Sequence, residues 1–326
     1  MIITQSPLRI SFFGGGTDYP EYFTKHGGAV VGTAIDKFVF FSVSKFYSQL
    51  FDYNIRISYR KVENIKSIDS IKHAPYRECL RWCGMTRDFE VNHMAELPAF
   101  TGLGSSSTFV VGLLNSLYAF QGKLVPPMEL AYQAIALERD VLKDVVGCQD
   151  QTFAAIGGFN MIEFRKTDNI IVHRLPISQK RKAELESNLM VFFTGIKRKA
   201  KELAGYQIKA MNQNLDKLKA IRGMVDQGVN ILVNHGSLNP FGELLHEAWQ
   251  QKRLLDSRVT NSRLDQIYDA GMAAGALGGK ILGAGGGGFM LFYVPQEKQE
   301  DVRKKLHRYT EMPVRLDAPG THVIRA

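Results

Sequence analysis

A short run of glycine and serine residues, 102–107, combines residue types that could bind a ligand through the backbone. Gly102 and Gly104 have no Cβ, so a ligand can approach the main chain closely there. The serines suit the start of a helix, whose first turn has unpaired N–H groups and a partial positive charge that attract phosphate. Taken alone, the pattern fits a phosphate-binding loop and an ordinary capped helix equally well.

Two further glycine clusters lie towards the ends of the chain. The first, 14–16, follows a strand-like run and is followed at once by Thr17 and Asp18. An aspartate can accept hydrogen bonds from two adjacent sugar hydroxyls, although a turn after glycines also favours this residue type. The second cluster, 278–288, ends in four consecutive glycines, which cost conformational entropy on folding. We therefore expect this loop to lie against a ligand or another loop.

The composition, with 45% hydrophobic and 22% charged residues among 326, is typical of a soluble globular protein. No apolar run approaches the roughly 20 residues that span a bilayer, no signal-peptide pattern opens the sequence, and three cysteines are too few for a disulfide framework. The net charge of +9 is spread along the chain without a recognisable nucleic-acid module. We predict a cytoplasmic protein with a small anionic substrate and no nucleic-acid or membrane partner.

The elements that must position the clusters mix strands and helices. Strands are predicted over 29–35 and 37–46, and helices over 105–121 and 127–143. A long helical region covers about 199–233. The order is not a regular βαβ series, so the pattern predicts an α+β fold and disfavours a dinucleotide-binding fold.

Taken together, the three clusters resemble the motifs of the GHMP kinase superfamily, which is named after galacto-, homoserine, mevalonate and phosphomevalonate kinases. PLRISFFGGGTDYP resembles the first motif, PAFTGLGSSSTF the phosphate-binding second motif, and GGKILGAGGGGF the third. The resemblance covers nearly the whole chain, and the signatures of P-loop enzymes and protein kinases are absent. It implies a kinase that uses ATP and Mg²⁺.

The resemblance also implies the architecture. An N-terminal domain like domain 2 of ribosomal protein S5, 1–175, would carry the first two motifs, and a ferredoxin-like C-terminal domain, 176–326, would carry the third. A polar stretch near 165–187 suits the boundary. ATP and substrate would meet in the cleft between the domains, and the sequence leaves a monomer and a homodimer both open.

Longer segments are similar to one branch of the superfamily, the kinases of D-glycero-D-manno-heptose 7-phosphate. These segments are GTDYPEYF, VGCQDQTFAAIGGFN and the stretch from GELLHEAWQQKR to the third motif. Fucokinase domains share part of the pattern. The resemblance implies phosphorylation of the anomeric hydroxyl to give a 1,7-bisphosphate, on the way to nucleotide-activated heptose for surface polysaccharide.

The resemblance assigns the reacting groups residue by residue. Asp150 matches the catalytic aspartate that would take the proton of the anomeric hydroxyl, and Arg9 matches the basic position beside it. Ser106 and Glu138 match the hydroxyl and carboxylate that hold Mg²⁺, although on sequence grounds alone Glu138 also fits a surface acid. The phosphate cradle would consist of Gly102, Leu103, Gly104, Ser105, Ser106 and Ser107.

The remaining predictions concern the substrate and the third motif. Lys197 and Arg198 are candidates for holding the 7-phosphate, because arginine binds phosphate bidentately, but they equally fit a solvated helix start. Lys280 and Arg56 are weaker candidates. Sugar contacts are predicted for Gly15, Gly16, Thr17 and Asp18. The third-motif loop would contribute Gly283, Gly285, Gly286 and Gly287.

Two other functions stay open at this point. Another sugar 1-kinase of the superfamily, such as a fucokinase, would share the same motifs. A protein with this fold could also bind sugar and nucleotide as a sensor without turnover, although the presence of all the expected reacting groups argues against that. A nucleic-acid module ranks third after these, because the net charge is the single feature of the sequence that supports it.

Overall fold

The computed structural model describes residues 1–167, 169–197 and 200–326, with all their side chains except those of 200–202. The strands are β1 (Ile2–Phe13), β2 (Gly28–Lys45), β3 (Ile55–Ser58), β4 (Val62–Ile65), β5 (Phe89–Ala95), β6 (Phe159–Phe164), β7 (Ile170–Arg174), β8 (Leu189–Phe193), β9 (Gly278–Ile281), β10 (Phe289–Tyr293), β11 (Thr310–Glu311) and β12 (His322–Arg325). The helices are α1 (Pro20–His26), α2 (Ala74–Trp82), α3 (Ser105–Phe120), α4 (Pro127–Ala136), α5 (Gln149–Ile156), α6 (Gln179–Ser187), α7 (Ala200–Lys209), α8 (Leu215–Val233), α9 (Asn239–Arg253), α10 (Ser262–Ala273) and α11 (Gln299–Lys305). None of these helices, which belong to the described part of the chain, has the length and apolar character needed to cross a bilayer.

The first lobe is built on an eight-stranded sheet with the order β12-β1-β2-β5-β3-β4, and β6 and β7 extend it from β2. The first half of β2 pairs with β6 and the second half with β5. The first eight residues of β2 are all buried, whereas Phe41 and Val43 alternate with half-exposed neighbours, so only one face is covered there. The prediction of two separate strands was wrong, because Asp36 and Lys37 stay extended within one continuous strand.

Helix α3 packs on β1 and β2 and is covered on its other sides by α2, α4 and α5. Because neighbours surround α3 in this way, most of its residues are buried, and most of the buried residues are apolar, as in the run FVVG. Gly112 permits the close approach to β1, since a Cβ there would lie 2.6 Å from Ser6 Oγ. This packing holds the start of α3 beside the end of β1, so the first two motifs are neighbours.

The second lobe is built on a four-stranded antiparallel sheet with the order β11-β8-β10-β9. Trp249, Tyr268 and Phe292 are buried in a core between this sheet and its helices. The long helical region predicted over 199–233 is two helices, α7 and α8, separated by a short turn at Asn212–Asn214.

The two lobes share part of one hydrophobic core. Phe241 of α9 packs edge-on against Phe12 and Phe13 of β1, with ring centroids 5.3 and 5.1 Å apart. On α8, a Cβ at Gly228 would lie 2.6 Å from the ring of Phe13, so that helix also approaches β1 closely. The end of β1 is thus enclosed by helices of the second lobe.

The last strand returns to the first lobe. β12 pairs with β1 antiparallel, and Thr321 Oγ1 lies 2.7 Å from Ser6 Oγ. The end of the segment predicted as the C-terminal domain therefore completes the first sheet. The boundary near residue 175 stays a prediction for the rest of the chain.

Candidate active site

All three glycine clusters line one cavity of about 150 Å³ between the lobes. The first lobe contributes the turn after β1 and the loop before α3, and the second lobe contributes the loop between β9 and β10. Residues of the three clusters that line it are Gly15, Gly16, Gly102, Gly104, Ser105, Ser106, Ser107, Gly283, Gly285 and Gly287. The spacing of the clusters in the sequence therefore reflects a single site.

The loop before α3 has the geometry of an anion cradle. Gly104 adopts a left-handed conformation, with φ at +79°, and the helix begins at the next residue. The N–H groups of the first turn have no partner within the helix, and Ser105 and Ser106 line the cavity there. Leu103 differs from its neighbours: its side chain is buried in the core, and its carbonyl accepts a bond from the Arg9 N–H at 3.1 Å.

The third-motif loop packs directly on this cradle. A Cβ on Gly102, where φ is +83°, would lie 2.2 Å from the carbonyl oxygen of Leu282, and one on Gly283 would lie 2.6 Å from Gly102 Cα. This backbone-to-backbone contact between the lobes requires glycine at positions 102 and 283. Gly286 is outside the cavity lining and donates its N–H to Val259 O at 2.8 Å.

Asp150 and Arg9 form a bidentate ion pair at the cavity wall. Asp150 lies in the first turn of α5, and its two carboxylate oxygens accept bonds from Arg9 Nε and Nη2 at 2.8 and 2.9 Å. The third guanidinium nitrogen, Nη1, donates to the carbonyl of Gly102 at 2.7 Å. The Arg9 side chain is 5% exposed and that of Asp150 26%, so the carboxylate faces the cavity while its partner is enclosed. One arginine thus joins this carboxylate to the glycine–serine loop.

Asp18 is a second carboxylate in the cavity wall. Oδ1 accepts the N–H of Gly16 at 3.1 Å, and Oδ2 accepts the N–H of Gln149 at 3.4 Å. Burial, and after it the charge of Asp150, raise the pKa of Asp18 above its ordinary value. Gly147 makes room for this carboxylate, since a Cβ there would lie 2.0 Å from Oδ2.

Thr17 does not face the cavity. Its hydroxyl is fully buried, donates to the carbonyls of Gly14 and Ala29 and accepts the N–H of Ala29. The predicted sugar contact is therefore corrected: Thr17 shapes the turn that presents Gly15, Gly16 and Asp18.

Glu138 is completely buried behind the start of α3, in a π-helical turn at Leu137–Val141. Oε2 accepts a bond from Gln151 Nε2 at 2.5 Å, and Ser107 also bonds the carboxylate. Oε1 is buried without a protein partner among the described residues. Burial raises the pKa of Glu138 to about 7. An unpartnered buried carboxylate oxygen beside serine hydroxyls fits a hard cation such as Mg²⁺.

The basic residues predicted to hold a substrate phosphate are not gathered at the cavity. Lys197 is exposed and does not line it. Arg198 lies outside the described residues. Arg56 is on β3, where it pairs with Glu90 at 2.5 Å. Of the four candidates, Lys280 does line the cavity.

Sequence reasoning missed Lys252 of α9, which also lines the cavity. Its ammonium group donates to the carbonyl of Gly283. A signal was present, because Lys252 continues the buried stripe of α9, three or four residues after Ala248 and Trp249. A lysine on the apolar stripe of a helix indicates a buried polar function more than a solvated one.

Two family models match the chain. GHMP kinases N terminal domain covers residues 72–158, and GHMP kinases C terminal covers residues 230–311. The chain is 30% identical over 317 residues to the D-glycero-alpha-D-manno-heptose 7-phosphate kinase of Campylobacter jejuni, in a match that covers 94% of this chain and 93% of that relative. The chain belongs to the GHMP kinase family.

Other relatives agree with this assignment. This GHMP kinase is 26% identical to the L-fucokinase/L-fucose-1-P guanylyltransferase of Bacteroides fragilis over 92% of its own length and 35% of that longer protein. Its fold matches the crystal structure of a D-glycero-D-manno-heptose 1-phosphate kinase from Bacteroides thetaiotaomicron with a TM-score of 0.82 at 24% identity, covering 100% of this chain and 99% of that structure. The predicted α+β, two-domain GHMP fold is confirmed.

Proposed function

We propose that this GHMP kinase uses ATP and Mg²⁺ to phosphorylate the anomeric hydroxyl of D-glycero-D-manno-heptose 7-phosphate, giving the 1,7-bisphosphate. The observation that carries the chemistry is the Asp150–Arg9 pair, which lies in the same cavity wall as the glycine–serine loop. Similarity to the Campylobacter jejuni heptose 7-phosphate kinase over almost the full length of both chains supports the choice of sugar. The product would feed the activation of heptose for surface polysaccharide.

The loop 102–107 would hold the triphosphate through its backbone N–H groups and serine hydroxyls. Glu138 and the hydroxyls of Ser106 and Ser107 would hold Mg²⁺, and the unpartnered Glu138 Oε1 is the atom that a cation would satisfy. When bound, Mg²⁺ neutralises part of the charge on the phosphate oxygens.

Asp150 would orient the sugar and accept its proton. The anomeric oxygen forms a bond to the γ-phosphorus while the bond from that phosphorus to the β–γ bridging oxygen breaks, and the hydroxyl proton passes to the Asp150 carboxylate. Arg9 contributes position as well as charge, because its two bonds fix both carboxylate oxygens and its third ties the guanidinium to the cradle.

Asp18 and the backbone of Gly15 and Gly16 would contact the sugar hydroxyls. Asp18 lines the cavity next to Asp150, and its Oδ2 accepts a long bond of 3.4 Å from the Gln149 N–H. It therefore retains acceptor capacity for substrate.

A panel of sugars tests the proposal. Purified protein with ATP and Mg²⁺ is offered heptose 7-phosphate, the same heptose without its phosphate, L-fucose and galactose, and ADP release is followed. We expect the highest kcat/KM for heptose 7-phosphate. Equal rates for the heptose lacking the 7-phosphate would remove that group from recognition, and no turnover with any sugar would leave the protein a sensor.

One observation favours a fucokinase-like activity as the second candidate. Among the described residues that line the cavity, each basic side chain already donates to a backbone carbonyl, and Lys197 lies away from it. Lys252, which keeps unused donors, lies beside the contact between Gly283 and Gly102 of the glycine–serine loop, so the described residues offer no separate cation for a sugar phosphate. Preference for L-fucose in the panel would decide for this alternative.

A further inference from the structure

Three buried cations converge on the cavity from different elements. Arg9 comes from β1, Lys252 from the last turn of α9, and Lys280 from β9. Their residues are 4%, 8% and 5% exposed. Lys252 and Lys280 therefore come from the second lobe. Among the described residues, the carboxylates that line this cavity are Asp18 and Asp150, and both come from the first lobe.

The three cations differ in how fully their donors are used. Arg9 is engaged by Asp150 and by the carbonyl of Gly102. Lys280 Nζ donates to the carbonyls of Ser11 and Phe12 at 3.0 and 2.6 Å, so it clamps the end of β1. Lys252 has one acceptor among the described residues, the carbonyl of Gly283. An ammonium group has three donors, so Lys252 can still donate to a ligand.

The three cations Arg9, Lys252 and Lys280 face two carboxylates, Asp18 and Asp150, among the described residues that line the cavity, so positive charge is in excess there. Burial, and after it the charge of Arg9, lower the pKa of Lys252 to about 8, while Asp18 and Asp150 act in the opposite direction. Burial, followed by the charges of Lys252 and Arg9, lowers the pKa of Lys280 well below its ordinary value. Since Asp150 is already paired with Arg9, an incoming anion would relieve this repulsion.

The position of Lys252 indicates which anion. Its acceptor, Gly283, packs on Gly102 of the triphosphate cradle, and Gly102 is bonded to Arg9, which holds Asp150. Lys252 therefore lies at the junction of the cradle and the proposed acceptor-activating carboxylate. The charge that crosses this junction during the reaction is that of the transferred phosphoryl group.

We propose that Lys252 donates to the γ-phosphoryl group of the bound nucleotide, so that the second lobe supplies a catalytic cation opposite Arg9. Lys280 is a positioning residue that holds the end of β1, and with it Arg9, in place. This inference rests on the proposed kinase function, but it does not depend on which sugar accepts the phosphate.

Nucleotide binding tests the proposal without an acceptor. Affinities for Mg·ADP and for Mg·AMPPNP, which has a γ-phosphoryl group, are measured by calorimetry for the wild type, Lys252→Met and Lys252→Arg. We expect Lys252→Met to lose about tenfold or more of its AMPPNP affinity, as for a hydrogen bond to a charged group, with little change for ADP. Lys252→Arg should restore part of the difference. With any accepted sugar, kcat of Lys252→Met should fall about 10²-fold.

Lys219→Met is the matched control, because Lys219 is 57% exposed on α8 and its variant loses the same charge. It should bind both nucleotides as the wild type does. Thermal unfolding of each variant verifies folding. Equal losses for ADP and AMPPNP would reduce Lys252 to a structural role, and unchanged AMPPNP affinity would overturn the proposal.

Two further outcomes separate this inference from the proposed substrate. If Lys252→Met raises KM for a phosphorylated sugar but leaves the AMPPNP-to-ADP ratio unchanged, the cation holds the phosphate of the substrate and the proposal is wrong. If the wild type ignores heptose 7-phosphate while Lys252→Met still loses affinity for AMPPNP and not for ADP, the choice of sugar fails and the role of Lys252 stands.

Discussion

Asp150 is the residue on which the proposed chemistry depends most directly. Its carboxylate is held by two bonds to Arg9, at 2.8 and 2.9 Å, and faces the cavity. Asp150→Asn keeps the shape of the side chain and removes its charge and its capacity to take a proton. We expect turnover to fall about 10²–10⁴-fold, as for loss of a general base. Nucleotide affinity, measured by calorimetry, should change little because the loop 102–107 is untouched.

The control for this variant is Asp226→Asn on α8, where the carboxylate is 63% exposed and pairs with Arg222. Neither turnover nor nucleotide affinity should change. Near-normal turnover of Asp150→Asn would remove Asp150 from the reaction.

We predict that replacing Glu138 raises the stability of the metal-free protein and lowers its activity. Its pKa is raised from an ordinary 4.5 to about 7 by burial, so the folded protein binds this proton more tightly than the unfolded chain does. The resulting destabilisation is absent below pH 4.5, grows as the pH rises to 7 and stays constant above. Without Mg²⁺, Glu138→Gln should therefore be more stable than the wild type at pH 8, by up to about 3 kcal/mol, and equally stable near pH 4.

Urea unfolding at the two pH values measures this difference. Glu129→Gln is the control, because Glu129 is exposed on α4 and its variant should show no such gain. With Mg²⁺ and ATP, Glu138→Gln should turn over far more slowly than the wild type. A loss of stability at pH 8 in the absence of metal would contradict the assignment of Glu138 as a buried carboxylate that awaits a cation.

At the scale of elements, the sequence allowed prediction of the regular strands and helices and of the motif loops. It did not allow prediction of the places where tertiary packing overrides the local pattern. β1, α3 and the three glycine clusters follow from residue spacing and family resemblance. β2 was divided wrongly, because Asp36 and Lys37 look like a turn but form an irregularity in the pairing with β1, where Asp36 exchanges hydrogen bonds with Arg315. Lys252 escaped notice because charged residues at a helix end usually face solvent, and only tertiary packing encloses it.

The contact between the second and third motifs gives a prediction at this scale. Gly102→Ala would place a Cβ 2.2 Å from the carbonyl oxygen of Leu282, at a φ of +83°. The backbone conformation alone costs about 1–2 kcal/mol, and the clash adds to this. We expect lower stability in urea unfolding together with weaker nucleotide binding, because the cradle must move away from the third motif.

Gly223→Ala is the matched glycine control. Gly223 is within α8, and a Cβ there meets nothing within 4 Å. This substitution should stabilise the protein by up to about 1 kcal/mol, since alanine favours the helix. If Gly102→Ala behaved in the same way, the two loops would not be in the contact described.

At the scale of the whole molecule, the site exists because two lobes close on each other. Asp150, Asp18 and the cradle belong to the first lobe, whereas Lys252 and Lys280 belong to the second. The shared core around Phe241 and the return of β12 to the first sheet hold the lobes together. The resemblance could indicate that substrates meet in a cleft, but the contacts that Lys252 and Lys280 make across it depend on how the two lobes pack together.

The most direct test of the account identifies the product. Wild-type protein and Asp150→Asn are incubated with Mg·ATP and heptose 7-phosphate, and the products are examined by ³¹P–¹H correlation NMR. We predict a new phosphorus resonance coupled to the anomeric proton in the wild-type reaction, formed with equimolar ADP, and its near absence with Asp150→Asn. A phosphorus coupled to any other carbon-bound proton, or equal product from both proteins, would contradict the account.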